Sequence, residues 1–316
     1  MKRRILSSLA GLAVALSAAA SGAFAAAAPA ALPDFPGVAV PSIRARLQDF
    51  RAGRPDPAAL RADEVGEEHL AMGEPSGAVA DPSDANDYLL RKPEYVLSYN
   101  NGTGTPNWVS WHLNASWLGS TKRSNNFRPD PALPPGFMQA TPHDYVGSGF
   151  DKGHMCDSED RSRDPQSNSE TFLMSNMIPQ SPRNNEHTWA ALEDYSRTLA
   201  KQGDELYIVS GPSGQGGVGK NGPLSVLAAE NGGAIVVPAL TWKVILVLPS
   251  GVTSPEDVTA DAKTIAVIMP NSQDIGLDWK QYIVTVADVE NLTHFNFFSA
   301  VDPAVAAQLK QQRYQP

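Results

Sequence analysis

The chain predicts an α+β fold with a mainly antiparallel central sheet flanked by helices. Strand-like runs follow one another with few helical patterns between them, whereas a doubly wound fold would alternate the two. No internal repeat is evident. The 42% apolar content supplies a full core, which the fold needs because the single cysteine, Cys156, excludes an intrachain disulfide.

Taken in order, residues 1–25 read as a signal peptide. Lys2, Arg3 and Arg4 form a positive n-region, Ile5 to Ala20 is apolar and uncharged, and Ala23-Phe24-Ala25 is an A-x-A cleavage signal. The apolar stretch is shorter than the roughly 20 residues of a membrane span. Export to a secreted or periplasmic location is therefore expected, with no membrane contact after cleavage.

Residues 26–90 form an extension rich in Ala, Pro and acidic residues. Ser42 can cap a short helix whose Ile43, Leu47 and Phe50 share a face, with Gly53 as its stop; Asp56-Pro57 can start a second. Gly73 to Asp87 has linker composition. From residue 91 to 302 the texture is that of a folded domain, and 303–316 is read as a C-terminal tail.

Within that domain, Tyr95 to Tyr99 and Trp108 to Leu113 are strand-like, separated by the turn-rich Asn100 to Asn107. Residues 119–149 form a long irregular stretch containing Pro129, Pro131, Pro134 and Pro135. A helix begins near Asn185. Leu206 to Ser210, Ala234 to Val237, Trp242 to Leu248 and Ala262 to Met269 complete the expected strands.

Charge narrows the function classes. Without Lys2, Arg3 and Arg4, the 25 basic residues fall to 22 against 34 acidic ones. Tight, salt-sensitive nucleic-acid binding usually shows a basic footprint, so a repressor or coat protein is disfavoured. An enzyme that needs only a local cationic site, and must release its product, remains compatible with this balance.

Two segments carry the chemistry: Phe150-Asp151-Lys152-Gly153-His154-Met155, then Asn184-Asn185-Glu186-His187-Thr188-Trp189-Ala190-Ala191-Leu192-Glu193. A histidine near pH 7 can serve as general base. An asparagine oxygen is a hard ligand suited to a cation that keeps most of its waters. On a helix, Asn185, Glu193 and Arg197 fall at roughly 0°, 80° and 120°, one side of the cylinder. Trp189, Leu192, Tyr195 and Leu199 fall on the adjoining arc, which should be core. Taken alone, each residue also has an ordinary reading: Asn185 as an N-cap, Glu193 and Arg197 as a surface pair.

The two segments together resemble the DNA/RNA non-specific endonucleases, the ββα-metal or His-Me finger nucleases, and the likeness runs from about Tyr95 to Val301. It implies the ββα-metal nuclease fold and a Mg²⁺-dependent endonuclease that cuts DNA and RNA to 5′-phosphate ends, with Mn²⁺ or another divalent cation able to substitute. It implies His154 as general base, ahead of His69, His112, His143, His187 and His294. It implies Asn185 as metal ligand, ahead of Asn184, because the family's asparagine lies four residues before the tryptophan and eight before the glutamate. Glu193 would hold a metal-bound water and Arg197 the phosphate.

The segment Lys122 to Asp130 resembles the one that supplies a phosphate-clamping arginine, with Arg123 the first choice and Arg128 the second. Asp151 would orient its loop by hydrogen bonds, and Gly153 would allow close backbone approach or positive φ. Lys152 stands where the family has arginine: it keeps the charge but loses the planar fork. Glu186 replaces a common glutamine, and His294 and Asn296 replace a common Gly and Asp at positions read as structural. A catalytically weak nucleic-acid-binding relative and an exported phosphodiesterase for another substrate are the alternatives. Oligomeric state is not legible.

Other signals are discounted. Gly214 to Lys220 satisfies G-x-x-x-x-G-K, but Asn221 replaces the Ser/Thr that would hold Mg²⁺, so the segment is read as a flexible loop. Gly147-Ser148-Gly149 is not an esterase elbow. Cys156 reads as a small packed residue.

Overall fold

The computed structural model describes residues 64–316. The expected signal peptide and the short helices starting at Ser42 and Asp56 lie outside the described residues. β1 (Tyr88–Arg91), β2 (Val96–Asn100) and β3 (Thr105–Leu113) form a meander. An insertion then carries β4 (Asp151–His154), helix α1 (Pro165–Glu170), β5 (Met177–Gln180) and helix α2 (Ala190–Gln202).

The main sheet resumes with β6 (Glu205–Ser213). Two small hairpins follow, β7 (Gly217–Gly219) with β8 (Gly222–Leu224) and β9 (Val226–Ala228) with β10 (Ala234–Val236). β11 (Leu240–Leu248), β12 (Lys263–Pro270) and β13 (Ile283–Val284) complete a seven-stranded sheet of order β1-β2-β3-β6-β11-β12-β13. All its neighbours pair antiparallel, as the sequence predicts. Helices α3 (Val286–Thr293) and α4 (Pro303–Gln311) close the chain.

Successive side chains on a strand point to opposite faces, so each long strand feeds two cores. On one face Leu97, Trp111, Ile208 and Ile245 pack with Trp189 and Leu192, which the helical arc predicts as core. On the other, Val96, Trp108, Trp242 and Val244 pack with Val286, Val289 and Leu309 of α3 and α4. Both faces are covered, so the central strands read as nearly continuous apolar runs rather than as strict alternation. Among the described residues no helix is long and apolar enough to cross a membrane.

Several segments are more ordered than their composition suggests. The expected boundary at residues 90/91 falls inside β1, and Leu89 N donates to Val79 O at 3.0 Å, tying the linker-like stretch to the sheet edge. The expected tail forms α4, started by Pro303 behind an Asp302 cap, with Ala306 and Leu309 buried. Gly214 to Lys220 is not a flexible loop. It runs into the β7–β8 hairpin, where Lys220 N donates to Gly149 O and Val218 N to Asn271 O, both at 2.9 Å. His294 closes α3 at φ 62°, the left-handed position where glycine is the least costly residue.

Candidate active site

β4 pairs with β5 in the register Asp151↔Gln180, Lys152↔Pro179, Gly153↔Ile178 and His154↔Met177. The histidine motif is thus a strand, not a loop. Gly153 has no positive φ; its role is close approach, since a β-carbon there would collide with the buried Gln180 side chain. Beyond β4, Asn176 accepts from Cys156 N and donates to Cys156 O, both at 2.9 Å, which fixes the direction of the chain as it leaves His154.

After β5 the chain enters a π-helical turn, Asn184–Trp189, that runs directly into α2. The 100° spacing expected from Asn185 onward therefore holds only from Ala190. Tertiary anchors bracket the wide turn: Asn184 Nδ2 donates to Thr241 Oγ1 at 3.0 Å, and Thr188 Oγ1 to Gly276 O at 2.8 Å. Such turns are rare and occur often at functional sites.

His154 is 5% exposed and walled by two rings, Phe172 at 4.8 Å edge-on and Phe127 at 5.6 Å. Burial, then the Arg123 charge, hold the imidazole down to about 3, against the opposing pull of Asp157. The ring is therefore neutral near pH 7. Its Nε2 is buried without a hydrogen-bond partner among the described residues, an arrangement rare in folded proteins.

The same two rings carry the cations. Arg123 lies 5.0 Å over Phe172, and Lys152 Nζ lies 4.9 Å over Phe127. Arg123 also donates to Ser158 Oγ at 2.8 Å and to Asn125 Oδ1 at 3.0 Å. The next residue, Ser124, is held through its N–H and hydroxyl by buried Asn168 Oδ1, both at 2.9 Å. Arg128 is committed elsewhere: it donates to Ser169 O at 2.8 Å and Glu170 Oε1 at 3.0 Å, on α1.

Asn185 is half-buried, and its Nδ2 donates to Asp151 Oδ2 at 3.0 Å. That bond ties down the amide through its nitrogen and leaves the oxygen as its acceptor. Burial lifts the Asp151 carboxyl above its usual range against the pull of this bond, with Glu186 adding to the lift and Lys220 and Lys152 opposing it. Asn184 is fully buried, and its Oδ1 has no partner among the described residues. An oriented amide oxygen beside a carboxylate suits a hard divalent cation that keeps most of its waters. Among the described residues no three His, Cys, Asp or Glu side chains are grouped as a metal cage.

Glu193 and Arg197 sit in a buried ionic cluster. Glu193 Oε1 lies 3.4 Å from Lys243 Nζ, itself 4.2 Å over the Trp189 ring. Burial pushes Glu193 up to about 8, with Asp157 adding to the rise and Lys243 and Arg197 opposing it. The terminal nitrogens of Arg197 donate to Asp157, to Asp160 Oδ1 at 3.1 Å and to Asp194 Oδ1 at 2.6 Å. Burial alone would raise Asp157, but Arg197, His154 and Arg123 hold it below the usual range. Arg197 is therefore engaged with carboxylates, whereas Arg123 is exposed at the mouth of the site.

Phe127, Phe172, Asp157, Asp160 and Lys243 were not among the expected site residues. Lys243 had a signal, as the one charge in the apolar run Leu240–Leu248. Phe172 had none.

Residues 73–304 match the family model described as DNA/RNA non-specific endonuclease. A nuclease of Nostoc sp. is 46% identical over 244 residues, covering 77% of this chain and 85% of that protein. Nuclease C1 of Cunninghamella echinulata is 34% identical over 237 residues, covering 72% and 89%. The mitochondrial nuclease EXOG of Xenopus laevis is 34% identical over 229 residues, covering 70% of this chain and 60% of its own length. Among solved structures, one of an EndoG/EndoGI complex superposes with a TM-score of 0.58 at 26% identity, over 74% of this chain and 91% of that one.

Proposed function

Because the chain belongs to the DNA/RNA non-specific endonuclease family, we propose that it hydrolyses phosphodiester bonds of both DNA and RNA with the help of a divalent cation, Mg²⁺ by preference. The observation that carries this reading is His154: a buried, neutral imidazole with an unpartnered Nε2, beside the exposed Arg123. In that state it accepts the proton of the attacking water. Arg123 and Lys152, held over Phe172 and Phe127, offset the negative charge that develops on the phosphate.

Asn185, oriented by Asp151, is the residue that would hold the cation. When bound, the cation neutralises charge at the phosphate and at the departing 3′-oxygen. Glu193 stands behind the site, positioned by Lys243, where it orients water. Mn²⁺ fits the same oxygen donors. The n-region, apolar stretch and A-x-A signal support export to a secreted or periplasmic location.

The test is incubation of the purified protein with plasmid and with RNA, in Mg²⁺, in Mn²⁺ and in EDTA. Both substrates should be cut to 5′-phosphate ends in either metal and in neither case with EDTA. A protein that retards nucleic acid without cutting it, or that hydrolyses only small phosphodiesters, would overturn the reading.

A further inference from the structure

A groove of about 570 Å³ opens beside Arg123, between the segment Leu118 to Arg123 and α2. Its size is that of ordinary ligand clefts, roughly 300–1,000 Å³. Arg123 and Arg197 both line it, so it continues outward from the site described above.

Its charges are unevenly committed. The acidic walls are answered by one guanidinium: Glu159 and Asp194 lie 3.4 and 2.6 Å from Arg197. The two lysines are not answered. Lys122 and Lys201 are exposed, line the groove, and make no ion pair shown among the described residues. Lys122 adjoins Arg123 in sequence. Lys201 stands one turn beyond Arg197 on the same side of α2, about 6 Å along its axis. Arg123, Lys122 and Lys201 thus form a cationic track leading away from His154, in a chain whose formal net charge is −9.

We propose that this groove binds the phosphates that flank the scissile one on a nucleic-acid strand, with Lys122 and Lys201 as the phosphate contacts. The proposal rests on the nuclease reading. A single small anion would need only Arg123; two further free cations on separate elements suit a repeating polyanion. The contacts are to the backbone and carry no base preference, which fits a family described as non-specific.

The test separates binding from cutting. A fluorescein-labelled duplex oligonucleotide is titrated in EDTA with the full protein and its Lys122→Ala/Lys201→Ala variant, followed by anisotropy over a range of salt concentrations. Each phosphate contact contributes about −0.9 to the slope of log K against log salt, so the variant's slope should be shallower by about two and its affinity about tenfold weaker at low salt. Lys122→Arg/Lys201→Arg should restore both. Unchanged slope and affinity in the alanine variant overturn the groove assignment. Failure of the nuclease reading is seen separately, as wild-type protein that binds the duplex but leaves it intact in Mg²⁺.

Discussion

The two faces of the central sheet are built from the same strands yet follow different rules. Trp242 and Lys243 are neighbours on β11 and point opposite ways. Trp242 joins Phe295 and Phe297, with ring centroids 6.0 and 5.6 Å away, in an apolar layer under α3 and α4. Lys243 enters the layer under α2, where Glu193, Arg197, Asp157 and Asp160 are also buried. Apolar burial stabilises by about 25 cal/mol per Å², whereas buried ion pairs often do no better than hydrophobic replacements. Both faces therefore draw stability from apolar burial, and the α2 face alone adds a buried ionic cluster. That cluster holds the candidate site residues in place at little net gain, and loses heavily if one partner is removed.

The largest expected effect strikes at that asymmetry. Arg197→Ala would leave Asp157 and Asp160 buried without their main counter-charge, and should cost about 3–5 kcal/mol in chemical denaturation. Leu309→Ala on the other face should cost a comparable 2–5 kcal/mol but leave kcat/KM of the remaining folded protein within about twofold. If Leu309→Ala slowed turnover as much as it destabilised, the faces would not be separate in function.

His154→Ala should lower kcat by at least about a hundredfold, consistent with loss of a general base, while circular dichroism shows a folded protein. The same change at exposed His187 should matter far less. Near-wild-type turnover in folded His154→Ala would remove it as the base.

A tenfold effect is expected at Lys152. Lys152→Ala should lose at least tenfold in kcat/KM, about 1.4 kcal/mol, whereas Lys152→Arg should retain or raise activity because guanidinium offers two parallel hydrogen bonds. Equal values for all three side chains, at fixed ionic strength, would make Lys152 a bystander.

The most gradual effect is a pH slope. His154 is held down to about 3, against an ordinary value of 6.5, so between those limits the unfolded chain binds a proton that the folded chain refuses. Stability from this group is fully present above 6.5 and declines as pH falls, by about 1.4 kcal/mol per pH unit. Buried His69, also held well below 6.5, adds a slope of the same sign. The melting temperature of His154→Ala should fall less steeply between pH 6 and 4 than that of the parent, roughly the His154 share of the slope; parallel curves would contradict the assigned environment.

What was legible in the sequence follows from range. The long strands announced themselves through local apolar runs, and α2 through its periodic Trp189, Leu192 and Leu199. The β4–β5 hairpin did not: Asp151 to His154 has no apolar alternation, and Pro179, which lacks an N–H, argues against its partner being a strand. The His154 and Asn185 positions were readable because their neighbours form recognisable patterns. The Phe127 and Phe172 walls and the Asp157 and Asp160 partners of Arg197 depend on contacts that only the folded chain creates. Arg128 stood second to Arg123 along the chain, and its bonds to α1 set the two further apart.

Lys243 gives the order of synthesis a meaning. A nascent chain that has emerged only as far as α2 already contains His154, Asn185, Glu193 and Arg197, but not the ammonium that sits against Glu193. That charge arrives with β11, the strand that also bridges β6 to β12. A ribosome-bound or truncated fragment therefore carries the candidate site side chains of the β4–α2 segment without the counter-charge that faces Glu193 in the finished fold.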